Sequence, residues 1–240
     1  MIRLEFQNTA MNAIPPPIRP WSENSKNRCL FEEIPVYWEV NDVITFLVNL
    51  GMYHTSLYEV LDSSEKEREQ KFKTEYFKKR FTISRSILKY ILQQILVTDN
   101  PSEILLDKEK KGQVIIPGRP DIFISLSYSG PYIAISIGKQ KIGSDIEVVH
   151  PVKANKIASC QIFINYHHTN DWEYLWKIIH VWTLLESYAK LYDENPYLHL
   201  NSSSILKNTN FVSYCINKHL IFSLASKKKH FTDALVWLDF

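Results

Sequence analysis

Two short acidic clusters stand where the surrounding residues call for burial. Gly143-Ser144-Asp145-Ile146-Glu147 lies in a run rich in Ile and Val, and Trp182-Thr183-Leu184-Leu185-Glu186-Ser187-Tyr188-Ala189-Lys190 lies in a run of large apolar residues. Carboxylates on buried faces are costly unless a cation or dense hydrogen bonding meets them. Read together, the clusters suggest a divalent-metal site with Asp145, Glu147 and Glu186 as hard oxygen donors. Taken singly, Asp145 and Glu147 also read as a solvated strand face, and Glu186 with Lys190 as an exposed helix pair. A second apolar stripe, Ile178, Val181, Leu185 and Tyr188, leaves open which face of that helix is buried.

Lys141 to Val149, bounded by Gly138 and Pro151, is predicted as a β-strand. Its side chains then alternate, with Ile142, Ser144, Ile146 and Val148 on one face and Asp145 and Glu147 on the other, their Cα atoms about 7 Å apart. Two carboxylates side by side repel unless something positive sits between them. The second cluster extends a helical stripe, Trp172, Leu175, Trp176, Ile179 and Trp182, through Glu186 to Lys190. Lys190, one turn beyond Glu186, supplies part of the compensating charge.

The chain has 240 residues, 45% hydrophobic and 13% aromatic, enough to fill a core in one large domain or two small ones. A formal charge of +2 gives no whole-molecule argument for nucleic acid or an anionic membrane. Cys29, Cys160 and Cys215 are odd in number and lack a C-x-x-C pair, which suggests neither a disulfide framework nor a zinc site. No signal-like N-terminus is evident, and no run approaches the roughly 18 apolar residues of a membrane span. A cytoplasmic protein without membrane association is expected.

Residues 1–34, with Ile14-Pro15-Pro16-Pro17-Ile18-Arg19-Pro20, are expected to run extended or in part disordered. A short strand is predicted at Val36 to Val40 and a helix from Asp42 to Asn49. Ser64-Glu65-Lys66-Glu67 has the form of a capping box opening a basic helical stretch to about Leu96, broken near Thr74 to Phe77. There Arg68, Lys71, Lys73, Lys78, Lys79, Arg80, Arg85 and Lys89 interleave with Phe72, Tyr76, Phe77 and Phe81. Most read as a solvated basic face over an aromatic core, and a few could hold phosphate.

Short strands are predicted at Ile104 to Leu106 and Val114 to Ile116, then a Gly118-Arg119-Pro120 turn and a hairpin of Ile122 to Tyr128 with Tyr132 to Ile137. The hydroxyl-rich Ser125-Leu126-Ser127-Tyr128-Ser129-Gly130 fits a phosphate cradle as well as it fits a plain turn. Strands near Asn210 to Asn217, Leu220 to Ser226 and Ala234 to Leu238 follow. The order predicts an α+β fold of two halves, 35–139 and 140–240, each a small antiparallel sheet packed with helices, the second carrying the metal site.

In order over residues 63–192, these elements resemble the 4′-phosphopantetheinyl transferases of the surfactin-synthetase-activating type. That family carries an I/V-G-x-D-x-E strand followed by W-x-x-K-E-x-x-x-K, which stand here as Ile142-Gly143-Ser144-Asp145-Ile146-Glu147 and Trp182 to Lys190. Arg68, Phe72 and Lys79-Arg80-Phe81-Thr82-Ile83-Ser84-Arg85 resemble its basic R-F-x-x-x-R helix. Gly118-Arg119-Pro120 stands where the family has G-K-P, and Ile124 to Gly130 where it has F-N-x-S-H-S.

The resemblance implies a monomeric pseudodimer of two similar α+β halves with coenzyme A in the cleft between them. It implies transfer of 4′-phosphopantetheine to a serine of an apo acyl, peptidyl or aryl carrier protein, with release of 3′,5′-ADP. Mg²⁺, or Mn²⁺, would be held by Asp145, Glu147 and Glu186, three acids expected to converge without a protein cation between them. Glu186 would assist deprotonation of the serine, and Lys190 would stabilise the departing phosphate oxygen. Arg119, Arg80 and Arg68 would hold phosphates of the nucleotide half, with Ser127 and Tyr128 touching phosphate or adenine.

Three positions depart from the pattern. Leu185 replaces the lysine before the glutamate, Tyr128 replaces the histidine, and the acid of a phenylalanine-led segment has no equivalent near Phe163 to His168. The Leu185 and Tyr128 changes motivate a second reading, a non-catalytic relative binding coenzyme A or a carrier protein. The basic aromatic stretch Lys66 to Lys89 motivates a third, RNA binding, against which the near-neutral charge and the ordered acidic motifs argue.

Overall fold

The computed structural model describes residues 17–21, 27–52, 60–108, 113–157, 171–199 and 209–239. The fold is α+β, with five α-helices among the described residues and sheets that mix parallel and antiparallel pairs. Two compact units form: the described parts of Met1–Glu23, Ser127–Gly130 and Lys141–His230 make the first, and those of Asn24–Leu126, Pro131–Gln140 and Phe231–Phe240 the second. A linear division at 139/140 assigns Ser127–Gly130 and Phe231–Phe240 the other way.

The sheet of the first unit runs β1 (Ile18–Trp21), β9 (Asn210–Ile216), β10 (Leu220–Ser226), β8 (Ile142–Val148). β8, β10 and β9 are antiparallel neighbours, while β1 joins β9 in parallel. The described end of the proline-rich segment is extended and paired in a sheet at Ile18–Trp21, while residues 1–16 and 22–26 lie outside the described residues. Arg28–Cys29, strand β2, is likewise paired.

Helix α5 (Trp172–Tyr192) covers the face of β8 that carries Gly143, Asp145 and Glu147. Gly143 makes this possible: a Cβ there would lie 2.0 Å from the Ser187 carbonyl oxygen and 2.5 Å from Leu191 N, so no larger residue fits beneath the helix. A buried polar row stitches helix to sheet. His180 Nε2 meets Ser213 Oγ at 3.1 Å, Thr183 Oγ1 meets Ser223 Oγ at 2.8 Å, and Ser187 Oγ donates to the Ser223 carbonyl at 2.9 Å. Ser213, Ser223 and Asp145 are register partners across β9, β10 and β8 and so share one face. Burial depresses His180 to about 4, which keeps it neutral. Leu175, Ile178, Ile179, Trp182 and Leu185 of the same helix form an apolar cluster with Ile221 of β10 and with Ala154 and Ile157 of α4 (Pro151–Ile157).

The second unit holds the five-stranded sheet β2, β11 (Asp233–Leu238), β3 (Val43–Asn49), β7 (Tyr132–Gly138), β6 (Phe123–Ser129), the last residues of β6 belonging to the first unit. β11 pairs in parallel with β3 and β2, so it does not extend β9 and β10 into the antiparallel sheet expected for the C-terminal half. Two predicted elements are reversed. Ile34–Val40 is helix α1, started by Pro35, whose missing N–H costs nothing in a first turn. Asn41 ends it by donating Nδ2 to the Tyr37 carbonyl at 2.9 Å. Val43–Asn49 is a strand buried almost throughout, which reads as a continuous apolar run without the alternation of a half-exposed strand. The two-stranded ribbon β4 (Asp107–Lys108) and β5 (Val114–Ile115) lies beyond Ile104–Leu106, which is not a strand.

The basic stretch divides into α2 (Ser63–Gln70) and α3 (Glu75–Leu96), the second capped by Thr74. The capping box opens on Asp62 rather than Ser64: Asp62 Oδ1 accepts Glu65 N at 2.9 Å, and Glu65 Oε2 accepts Asp62 N at 3.3 Å. Glu65 also turns inward. Its Oε2 lies 2.6 Å from Lys89 Nζ, a side chain with no exposed surface, and Lys89 reaches Asp62 Oδ2 at 3.1 Å. Arg85, also buried, approaches Glu65 Oε1 at 4.0 Å. Burial raises Glu65 against the pull of Lys89, whereas at Asp62 the burial penalty is outweighed by the Ser64 hydroxyl, the Glu65 amide and Lys89.

Candidate active site

Asp145 and Glu147 project from one face of β8 and are nearly buried. β8 is the edge of its sheet, and the serine-rich hairpin finishes that edge. Ser127 Oγ accepts Ile146 N at 3.2 Å and donates to Asp145 Oδ1 at 2.7 Å, while Ser129 Oγ accepts Val148 N at 2.9 Å and donates to Glu147 Oε2 at 2.6 Å. Each hydroxyl has one proton, and here it goes to a carboxylate. The hairpin residue expected to touch phosphate, Ser127, is thus the residue that holds Asp145 in place.

Two lysines complete the charges. Lys190, from the last turn of α5, donates to Asp145 Oδ1 and to the Ser144 carbonyl, both at 2.9 Å. Lys153, from α4, forms an ion pair with Glu147 Oε1. Protein cations therefore do stand against the strand acids, in contrast to the convergence expected from the sequence. Among the described residues, no three acidic, histidine or cysteine side chains are gathered closely enough to hold a metal as they stand. The ammonium groups instead take up part of the negative charge.

Glu186 sits one turn before Lys190 and within electrostatic reach of Asp145 and Glu147. Burial first, then Asp145, pushes its carboxyl up to about 7 against the opposing pull of Lys190. Glu147 is also raised, by burial and by Asp145, with Lys153 opposing. Three carboxylates face two ammoniums, so one negative charge is left over when all are ionised. One oxygen, Asp145 Oδ2, is buried with no hydrogen-bond partner among the described residues. Carboxylate oxygens are the donors a hard divalent cation takes, and one bound here would satisfy the orphaned oxygen, but the three acids would have to draw together to hold it.

Ser127, Tyr128, Asp145, Glu147, Glu186 and Lys190 belong to the first unit; Arg68, Arg80 and Arg119 belong to the second. Arg119 forms a fork with Asp121, Nε to Oδ1 at 2.9 Å and Nη2 to Oδ2 at 2.7 Å. Arg80 lies over Phe77 and Tyr76, and Arg68 over Phe81. Leu185 is in the apolar cluster, so the position before Glu186 serves packing. The Phe163 to His168 segment lies outside the described residues. Lys153 and Ser129 have direct contacts with Glu147 that were not assigned from sequence. The alternation of β8 placed Glu147 on the acid face, but a lysine beyond Pro151 carries no signal of which face it will meet. No protein-family model matches this sequence, and no curated protein is significantly similar to it.

Proposed function

We propose that this protein is a Mg²⁺-dependent 4′-phosphopantetheinyl transferase that moves the phosphopantetheine of coenzyme A onto a serine of an apo carrier protein of peptide, polyketide or fatty-acid synthesis. The observation that carries the reading is the acidic trio: Asp145 and Glu147 on one strand face, Glu186 on the helix covering that face, and one buried carboxylate oxygen unpartnered. The family's motif order supports it. On this reading the two α+β units are the halves of the pseudodimer, acting as a cytoplasmic monomer.

Asp145, Glu147 and Glu186 would hold Mg²⁺ or Mn²⁺, which when bound neutralises the pyrophosphate and the charge developing on the leaving group. Glu186 would assist deprotonation of the carrier serine, directly or through a water. The serine oxygen then bonds to the β-phosphorus as the bridging bond to 3′,5′-ADP breaks. Lys190 uses two of its three N–H donors on Ser144 and Asp145, leaving the third for the departing phosphate oxygen. Ser127 and Ser129 keep the two strand acids oriented. Arg119, Arg80 and Arg68 would bind nucleotide phosphates, Arg119 by exchanging the Asp121 carboxylate for a phosphate of similar geometry, and Tyr128 would meet the adenine.

The test is to combine the protein, coenzyme A, Mg²⁺ and an apo carrier protein and to look by mass spectrometry for one added phosphopantetheinyl group. Transfer is expected, and Asp145→Ala abolishes it; transfer undiminished in that variant overturns the site. Coenzyme A binding without single-turnover product would instead identify a non-catalytic relative, the reading favoured by the burial of Leu185 where the family has lysine.

A further inference from the structure

We propose that Lys153 is a built-in counter-ion of Glu147 that a divalent cation must displace, so that this lysine sets the metal affinity of the site. The inference rests on the metal-site reading above and concerns how that site is regulated.

The two lysines at the acids are held differently. Lys190 is anchored by two acceptors, one of them the Ser144 carbonyl, which remains an acceptor whatever happens to the carboxylates. Among the described residues Lys153 forms an ion pair with Glu147 alone, and its side chain is 40% exposed against 7% for Glu147. With that exposure the ammonium can swing into water while the buried carboxylate stays behind. Glu147 is itself pinned by Ser129, through the other oxygen.

A metal coordinated by Glu147 and an ammonium on the same carboxylate are like charges at close range, where low local dielectric makes repulsion strong. One has to leave, and the lysine held by a single contact is the one that can. With Lys153 in place the carboxylate is partly neutralised before a metal arrives; with Lys153 gone the metal meets an uncompensated acid. Lys156, exposed on the same short helix, offers a charge-matched control.

The experiment measures Mn²⁺ binding by electron paramagnetic resonance, without coenzyme A or carrier, for the wild type and for Lys153→Met, Lys153→Gln, Lys153→Arg and Lys156→Met. Removing the charge at Lys153 is expected to tighten Mn²⁺ roughly 10-fold, the scale on which groups adjoining metal ligands act. Lys153→Arg and Lys156→Met should stay near the wild-type affinity. Equal or weaker binding by both neutral variants, with the wild type still binding Mn²⁺, overturns the counter-ion role and leaves the metal site standing. Absence of Mn²⁺ binding in every protein overturns the metal site itself and the counter-ion with it.

Discussion

Asp62, Glu65, Lys89 and Arg85 in the second unit and Asp145, Glu147, Glu186, Lys153 and Lys190 in the first are both clusters of buried or half-buried charge, but their sums differ. Two acids face two bases in the second unit, and Lys89 is enclosed completely. Three acids face two bases in the first, and both lysines keep part of their surface in water. The balanced cluster joins the start of α2 to the middle of α3, which is a structural task. An orphaned carboxylate oxygen does not separate them, since among the described residues Glu65 Oε1 is as unpartnered as Asp145 Oδ2; the unbalanced cluster alone retains a negative charge, a cost to stability with no return unless something binds. Perturbed ionisation alone does not separate the two, because burial raises Glu65 as well as Glu186. Charge balance and access to solvent do.

Removing one partner from each cluster breaks the comparison most sharply. Lys89→Met leaves Asp62 and Glu65 without their ammonium, and denaturant unfolding should show a loss of about 3–5 kcal/mol, the range for breaking a buried pair. Glu186→Gln should do the opposite. The folded protein keeps the Glu186 proton up to about 7 while an unfolded chain releases it near 4.5, so ionisation works against folding as pH rises through that window. In chelator near pH 8 the variant should gain about 2 kcal/mol, allowing for partial solvent screening, and the gain should vanish below about pH 4.5. Calorimetry across that range checks it, and a destabilised Glu186→Gln at pH 8 would place Glu186 with the structural acids.

The smallest effect belongs to His180, on the helix that carries Glu186. Its folded value of about 4 lies below the usual 6.5, so an unfolded chain binds a proton that the folded one refuses. Stability should fall as pH drops from 6.5 towards 4, by about 1 kcal/mol at pH 5.5, and His180→Gln should flatten that limb. An unchanged acid limb in the variant would mean that the slope comes from other groups.

The acidic strand and helix were legible because their periods are strong: alternation put Asp145 and Glu147 on one face, and the helical stripe carried through to Glu186 and Lys190. The lysines that meet acids across space were not, since Lys153 and Lys89 lie among many solvated lysines of identical local pattern. Val43–Asn49 was misassigned because a strand buried on both faces loses the alternation that marks one. The capping box was displaced by two residues because Asp62 and Ser64 both suit an N-cap, and only the backbone conformation decides between them. Pairing of β11 with β3 and β2 has no local sequence signal at all.

That last pairing governs the order in which the molecule can be made. β11 sits between β2 and β3, and the hydrogen bond from Asp42 to Thr232 at its entrance closes a separation of 190 residues. On a ribosome, the second unit's sheet must wait with an open flank on β3 until the intervening chain has been synthesised. The sheet neighbours β8, β9 and β10 are all complete by then, so the first unit can settle early while the second remains a late-closing, aggregation-exposed assembly. Arrest of translation before Asp233 should thus yield chains in which the acidic strand and its helix are protected from proteolysis and β3 is not.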